Sequence, residues 1–218
     1  MQNIPRIFID EEIESGKQVP ADKDMVHYLR RVMRRDDCLV FNSGSEYTAK
    51  LSGDNKYVVI GEKTKHIDPS NDLVLYFAPI KKIDELINMA TQMGVGAFVP
   101  VITNRTVANH INWTRLRKIM IEAAEQSNRN SIPKLMNPIK FDDLDLKDLI
   151  VADERFAHGK DNAIIKISGK RLLIGPEGGF SSAEFEKMDM ADVKGLSLGK
   201  TILRAETAAV VAIAKVLG

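Results

Sequence analysis

The sequence predicts an α/β protein, with a parallel sheet covered by helices preceded by a small β-rich domain. Three observations carry this. From Leu73 onward, short apolar runs alternate with segments of helical periodicity, and strands alternating with helices imply a parallel sheet covered on both faces. Before residue 65, short runs are separated by the turn formers Asn42-Ser43-Gly44-Ser45 and Ser52-Gly53-Asp54-Asn55, which read as hairpin turns. Two later apolar runs end in glycine-bearing turns, where open α/β sheets bind ligands.

In the N-terminal part, Arg6 to Ile9, Cys38 to Phe41, Glu46 to Leu51 and Lys56 to Gly61 read as strands. A helix over Lys23 to Arg34 lines up Val26, Leu29 and Met33 and leaves Arg30, Arg31, Arg34 and Arg35 largely outside that stripe. Those arginines are a candidate phosphate-contacting patch; a solvated helix end, with cations facing the negative end of the dipole, is the competing account. His66 to Asp72, rich in proline, serine and acidic turn formers, reads as a linker. The expected domains are therefore 1–68 and 69–218.

In the second part, Leu73 to Ala78 is an expected strand. The following helix carries Ile83, Leu86, Ile87, Ala90 and Met93 at helical spacing and stops at Gly94. Ala97 to Val101 is the next strand. A second helix shows Trp113, Leu116, Met120, Ala123, Ala124 and Ser127 on one face. Leu149 to Val151, Arg171 to Ile174 and Leu196 to Leu198 complete the strands. Ser181 with Glu184 three residues on has capping-box spacing for a short helix. The last helix, about Ile202 to Leu217, is apolar nearly all round and so needs burial on more than one side, within its own domain or against a second subunit.

With 218 residues and a formal net charge of +1, the chain is long enough for a real core but carries no global field to attract nucleic acid, so any RNA contact falls to local patches. The single cysteine, Cys38, rules out an internal disulfide framework. The four histidines, His27, His66, His110 and His158, are scattered without ligand spacing, and no metal is expected. The N-terminus lacks the apolar stretch of a secretory signal, and no apolar run approaches bilayer length. A cytoplasmic protein without a membrane partner is the expectation.

Two phosphate-loop readings fail on spacing. Gly195 to Gly199-Lys200-Thr201 leaves three residues between the glycines where the triphosphate loop needs four, and Gly94-Val95-Gly96 lacks the third glycine of the dinucleotide fingerprint. What distinguishes the glycine turns is their company. Gly175-Pro176-Glu177-Gly178-Gly179-Phe180-Ser181 is followed by Leu198-Gly199 and by Ile202-Leu203-Arg204-Ala205-Glu206-Thr207-Ala208. This combination closely resembles the RsmE family, the 16S rRNA uridine N3-methyltransferases of the knotted SPOUT superfamily. The likeness extends to Ile119–Arg129, with Glu122-Ala123-Ala124-Glu125-Gln126-Ser127 inside it, and to His27-Tyr28-Leu29 with Val32-Met33-Arg34. It departs at Met89 and Gln92, where the family usually has Lys and Glu.

The resemblance implies a PUA-like domain at the N-terminus, a C-terminal trefoil knot holding S-adenosyl-L-methionine, and a homodimer. It implies 16S rRNA or the assembled small subunit as partner. Ile174, Gly175, Glu177, Gly178, Gly179, Leu198, Gly199, Ile202 and Leu203 are the expected cofactor-binding residues, since bare backbone groups can bind an adenine edge and a ribose. Arg204 and Glu206 are the expected catalytic pair: charges at the start of an apolar helix are costly if the helix only packs. A mutual ion pair capping that helix is the structural alternative. Arg30, Arg34, Gln126 and Arg129 are the expected RNA contacts. Two other functions remain open at this point: a related methyltransferase acting on tRNA or another rRNA base, and a non-catalytic RNA-binding assembly factor.

Overall fold

The computed structural model describes residues 4–69, 72–107, 111–160, 164 and 167–217. It divides into two units: residues 1–70 with 121–132, and residues 71–120 with 133–218.

The first unit contains β1 (Arg6–Phe8), β2 (Gln18–Pro20), α1 (Lys23–His27), β3 (Asp37–Asn42), β4 (Ser45–Leu51) and β5 (Tyr57–Lys63), in the sheet order β1-β3-β4-β5-β2. Among the described residues of this sheet, β1 and β3 pair in parallel and the other neighbours antiparallel. The β3–β4 hairpin turns on Ser43 and Gly44, both at positive φ, the geometry whose twist matches flanking antiparallel strands. Alternate residues point inward: Cys38, Val40, Ala49, Leu51, Val58 and Ile60 pack with Leu29 from the helical segment. Burial, and secondarily the charge of Asp37, pushes the Cys38 thiol up to about 12, so it behaves as a small apolar group.

The helix expected over Lys23 to Arg34 is broken into pieces. α1 starts at Asp22, whose carboxylate accepts the Met25 N–H at 2.7 Å. The chain then widens into a π-helical turn over Tyr28–Met33 and leaves it through Arg34, in the left-handed region at φ 54°. Periodicity shows the apolar stripe and is blind to this widening.

Arg6 joins the first unit internally. Its guanidinium, 7 % exposed, donates to Glu46 Oε2 (2.9 Å), to the Ala124 and Arg129 carbonyls (3.0 Å each) and to Asn130 Oδ1 (2.5 Å), and lies over the Phe41 ring. A buried cation is tolerated only when paired and hydrogen-bonded in this way.

The second unit comprises β6 (Val74–Phe77), α2 (Ile83–Gln92), β7 (Ala97–Ile102), α3 (Trp113–Gln126), β8 (Lys134–Leu135), β9 (Ile139–Lys140), β10 (Ile150–Ala152), β11 (Arg171–Ile174), α4 (Ser182–Met190), β12 (Lys194–Leu196) and α5 (Ala205–Leu217), α3 giving its last residues, 121–126, to the first unit. The sheet runs β12-β10-β11-β6-β7-β8, with β9 also on β7, and every pairing is parallel. The central strands are buried on both sides, which is why Leu172-Leu173-Ile174 and Ile150-Val151-Ala152 are unbroken apolar runs. α5 packs on α2, β10 and β11.

In the second unit, two boundaries differ from expectation by two residues or more. The last strand is Lys194–Leu196 and not Leu196–Leu198, because Ser197 leaves the ladder to take the Ile164 carbonyl. The last helix starts at Ala205 and not Ile202. It is also less fully buried than its composition suggests: Ala205, Glu206, Ala209, Ala212, Ile213 and Val216 are covered, whereas Ala214 and Leu217 are exposed.

Candidate active site

β10 lies between β11 and β12, so chain order and sheet order part company there. Loops that leave a sheet at such a point diverge and open a crevice at the C-terminal ends of the strands. A cavity of about 510 Å³ fills that crevice, lined by the segments that follow β6 (Lys81, Lys82), β10 (Asp153, Glu154), β11 (Gly175 to Glu177, Gly179) and β12 (Leu198, Gly199, Thr201 to Glu206).

The turn after β11 is shaped by its glycines and held from outside. A Cβ on Gly175 would stand 2.7 Å from Phe180 Cε2, so the aromatic ring closes over the backbone only because the position is bare. Ser181 and Glu184 form the full capping box that starts α4. The other oxygen of Glu184, which is buried, accepts the Asn104 N–H at 2.8 Å, and Arg105 Nη1 donates to the Gly178 carbonyl at 2.9 Å. The loop after β7 thereby braces the glycine turn. On the other side, the turn after β12 passes through Gly199 at φ 127°, a conformation that side chains other than hydrogen rarely adopt. The Ser197 carbonyl behind it accepts from Lys215 Nζ of α5 at 2.8 Å.

The charged lining is arranged in pairs. Asp153, 2 % exposed, takes Arg155 Nη2 at 2.8 Å and Lys160 Nζ at 3.0 Å, and both cations also reach Asp189. Burial alone would raise the Asp153 carboxyl, but hydrogen bonds from Arg155 and Lys160 outweigh it and hold the group below the usual carboxylate range. Glu154 Oε1 accepts the Phe180 N–H at 3.3 Å. Glu206, in the first turn of α5 and 6 % exposed, has Lys82 Nζ at 3.7 Å from Oε1, while Lys82 donates to Glu85 at 2.9 Å. Arg204 sits exposed just before the helix and makes no ion pair with Glu206 among the described residues, so the mutual helix-capping pair is not formed.

All the expected cofactor-binding and catalytic residues except Gly178 line this one cavity. Gly178 faces away: a Cβ there would meet only Arg105 Cβ and Cδ, at 3.6 and 3.7 Å. Lys81, Lys82, Asp153 and Glu154 were not anticipated. Their sequence surroundings read as ordinary helix starts and strand ends, and only the sheet order brings them to the crevice.

The expected RNA contacts belong to the first unit. Arg30 is committed to Asn55 Oδ1 at 2.9 Å and to Asp36, and Arg35 to Asp37 at 2.9 Å. Arg31 and Arg34 are exposed and have no partner among the described residues. Gln126 is exposed at the end of α3. Arg129 is half-buried, and burial, opposed by the charge of Asp68, draws its guanidinium below its usual range. His66 Nε2 lies 2.8 Å from the Asn128 carbonyl, His27 is exposed, and His110 falls outside the described residues. On α2, Gln92 is exposed and bonds Asn88, and Met89 is half-buried.

A parallel α/β sheet with a glycine-lined crevice at its switch point is a ligand-binding architecture, and the likeness to known proteins gives its class. The RNA methyltransferase domain family matches residues 68–217. A ribosomal RNA small subunit methyltransferase E of Rickettsia conorii is 34 % identical over 97 % of this chain and 94 % of its own length. That of Bacillus subtilis is 30 % identical, over 97 % and 95 %. Among solved structures, a ribosomal RNA small subunit methyltransferase E from Neisseria gonorrhoeae bound to S-adenosyl methionine matches with a TM-score of 0.80 at 26 % identity, covering 97 % of this chain and 96 % of that one. The chain belongs to the ribosomal RNA small subunit methyltransferase E family, RsmE.

Proposed function

We propose that this protein methylates N3 of a uridine in 16S rRNA, with S-adenosyl-L-methionine as methyl donor. The observation that carries the reading is the cavity itself: backbone-rich turns on two sides, apolar Ile174, Leu198, Ile202 and Leu203 between them, and Arg204 and Glu206 at one side. Bare backbone edges suit an adenine and a ribose, and an apolar wall suits the ring face. The bound donor supplies an electrophilic methyl carbon on a sulfonium.

The chain's own residues have two tasks, to hold the uracil in line and to manage the N3 proton. Alignment removes much of the entropic barrier. Glu206 accepts the N3 proton, and the Arg204 guanidinium stabilises the negative charge that develops on the uracil ring. The first unit, residues 1–70 with 121–132, carries a PUA-like barrel and positions RNA through Arg31 and Arg34, with Gln126 and Arg129 as further contacts. The second unit carries the reaction.

The same reading includes a trefoil knot in the C-terminal segment, supported by the strand order, in which β10 separates β11 from β12. It includes a homodimer, supported by the exposed Ile202 and Leu217 that flank α5; a monomer in light scattering at micromolar concentration would refute it. It includes residence in the cytoplasm, in keeping with a buried free thiol at Cys38 and with the absence, among the described residues, of any helix long and apolar enough to cross a membrane.

Mass spectrometry of 16S rRNA nucleosides from a strain lacking the gene tests the function. Loss of N3-methyluridine, restored by the intact gene and not by Glu206→Gln, is the expected result. An unchanged N3-methyluridine level refutes it.

A further inference from the structure

We infer that Lys82 is a positioning residue for Glu206, setting an opposite charge beside its carboxylate while leaving the carboxylate oxygens open to a uracil N3 proton. The inference rests on the uridine N3 reaction proposed above and concerns a residue outside the stretches on which the resemblance was drawn.

Glu206 is 6 % exposed, and burial disfavours a charged carboxylate in general while an opposite charge close by favours it. Lys82 is the one cation within ion-pair distance of it among the described residues, with Nζ 3.7 Å from Oε1. That separation is too long for a hydrogen bond, so the ammonium lends its field without occupying an oxygen lone pair. The lysine can do this because its hydrogen bond goes elsewhere, to Glu85 Oε2 at 2.9 Å on the exposed face of α2. Glu85 therefore holds the ammonium back from Glu206. The hydrogen bond to Glu85 and the charge of Glu85, with a smaller contribution from Glu206, raise Lys82 above the usual lysine range against burial and the opposing Arg204, so the residue is a cation at working pH.

The remaining charges around the cavity do not take over this role. Lys81 precedes Lys82 and is exposed, and Arg204 is exposed before α5. From β10, Asp153 is satisfied by Arg155 and Lys160, and Glu154 accepts the Phe180 N–H. Glu177, after β11, is exposed. α2 and α5 pack directly on each other, which fixes the spacing of the pair.

In the step itself, the N3–H bond breaks and its proton passes to a Glu206 oxygen. The nitrogen electron pair forms the new bond to the methyl carbon, and the sulfur–methyl bond breaks with its pair staying on sulfur. The sulfonium charge is lost as the carboxylate becomes neutral, so the step balances.

The test is the pH dependence of single-turnover methyl transfer to small ribosomal subunits lacking the modification, using the full chain and saturating S-adenosylmethionine. Lys82→Met should move the acid limb up by about one pH unit, slow transfer by up to about tenfold at pH values below the original limb and progressively less above it, and leave the S-adenosylmethionine dissociation constant within about twofold. Lys82→Arg should restore the original limb. Should Lys82→Met fail to fold in a thermal melt, Glu85→Gln on the exposed face serves instead; it releases the ammonium toward Glu206 and should move the limb down. An unmoved limb in these variants, with Glu206→Gln still slow, overturns the role of Lys82 and leaves the proposed reaction standing. Full activity in Glu206→Gln overturns both.

Discussion

Arg105 Nη1 donates to the carbonyl of Gly178 at 2.9 Å, so the glycine turn beside the cavity is held by a side chain from the loop after β7. A hydrogen bond from a charged donor contributes about 1.5–3 kcal/mol when shielded and less at an exposed position. Arg105→Ala should therefore weaken S-adenosylmethionine binding about fivefold in calorimetry, with the thermal melt nearly unchanged. Gly178→Ala should bind normally, since its Cβ would make only ordinary contacts. Gly199→Ala, at φ 127°, should cost on the order of 1–3 kcal/mol in strain.

Arg6 is the residue on which the first unit depends most. Its four side-chain hydrogen bonds are made at a largely buried site, and removal of one partner of a buried ion pair leaves the other uncompensated. Arg6→Met should destabilise the protein by about 3–5 kcal/mol, measured by urea unfolding. Arg6→Met combined with Glu46→Leu should recover part of that loss, because the stranded carboxylate goes too.

Among the described residues, the side chains of Arg31 and Arg34 have no partner, whereas Arg30 and Arg35 are engaged. Reversing the charge of Arg31 and Arg34 together should flatten the salt dependence of RNA binding by a log–log slope of roughly 1.4, about 0.7 for each phosphate contact with single-stranded RNA. Arg30→Glu should lower stability first, by breaking its contacts with Asp36 and Asn55. Titrating binding against potassium chloride separates the two effects.

Asp153 sets an acid limit. Its folded carboxyl is held below its unfolded value, so the stability it contributes is present above about pH 4 and is lost as pH falls through the folded value. Asp153→Asn should lower the melting temperature at pH 7 and reduce the fall in melting temperature between about pH 4 and pH 2.

Much of the second unit was legible in the sequence because its signals are local. Leu172-Leu173-Ile174 announces a buried strand, and Ser181 with Glu184 announces a helix start. β2 was missed because three residues ending in Pro20 show no alternation, and its strand state depends on pairing with β5. The first residues of the last helix were misjudged because Ile202 and Leu203 look like helix interior, yet they line the cavity. Lys82 and Asp153 were invisible for another reason. Each is a common residue in a common setting, and only the order of β10, β11 and β6 in the sheet gives it a neighbour worth having.

The division of the chain also sets an order of events during synthesis. The first unit includes residues 121–132, and it is Ala124, Arg129 and Asn130 that take three of the four bonds of Arg6. A nascent chain growing at roughly 5–20 residues per second has made all five strands of the small sheet long before those partners leave the ribosome. Until then the guanidinium and its pocket are unfinished, and the small sheet must wait, half-assembled, for a piece of chain that is translated only after β7.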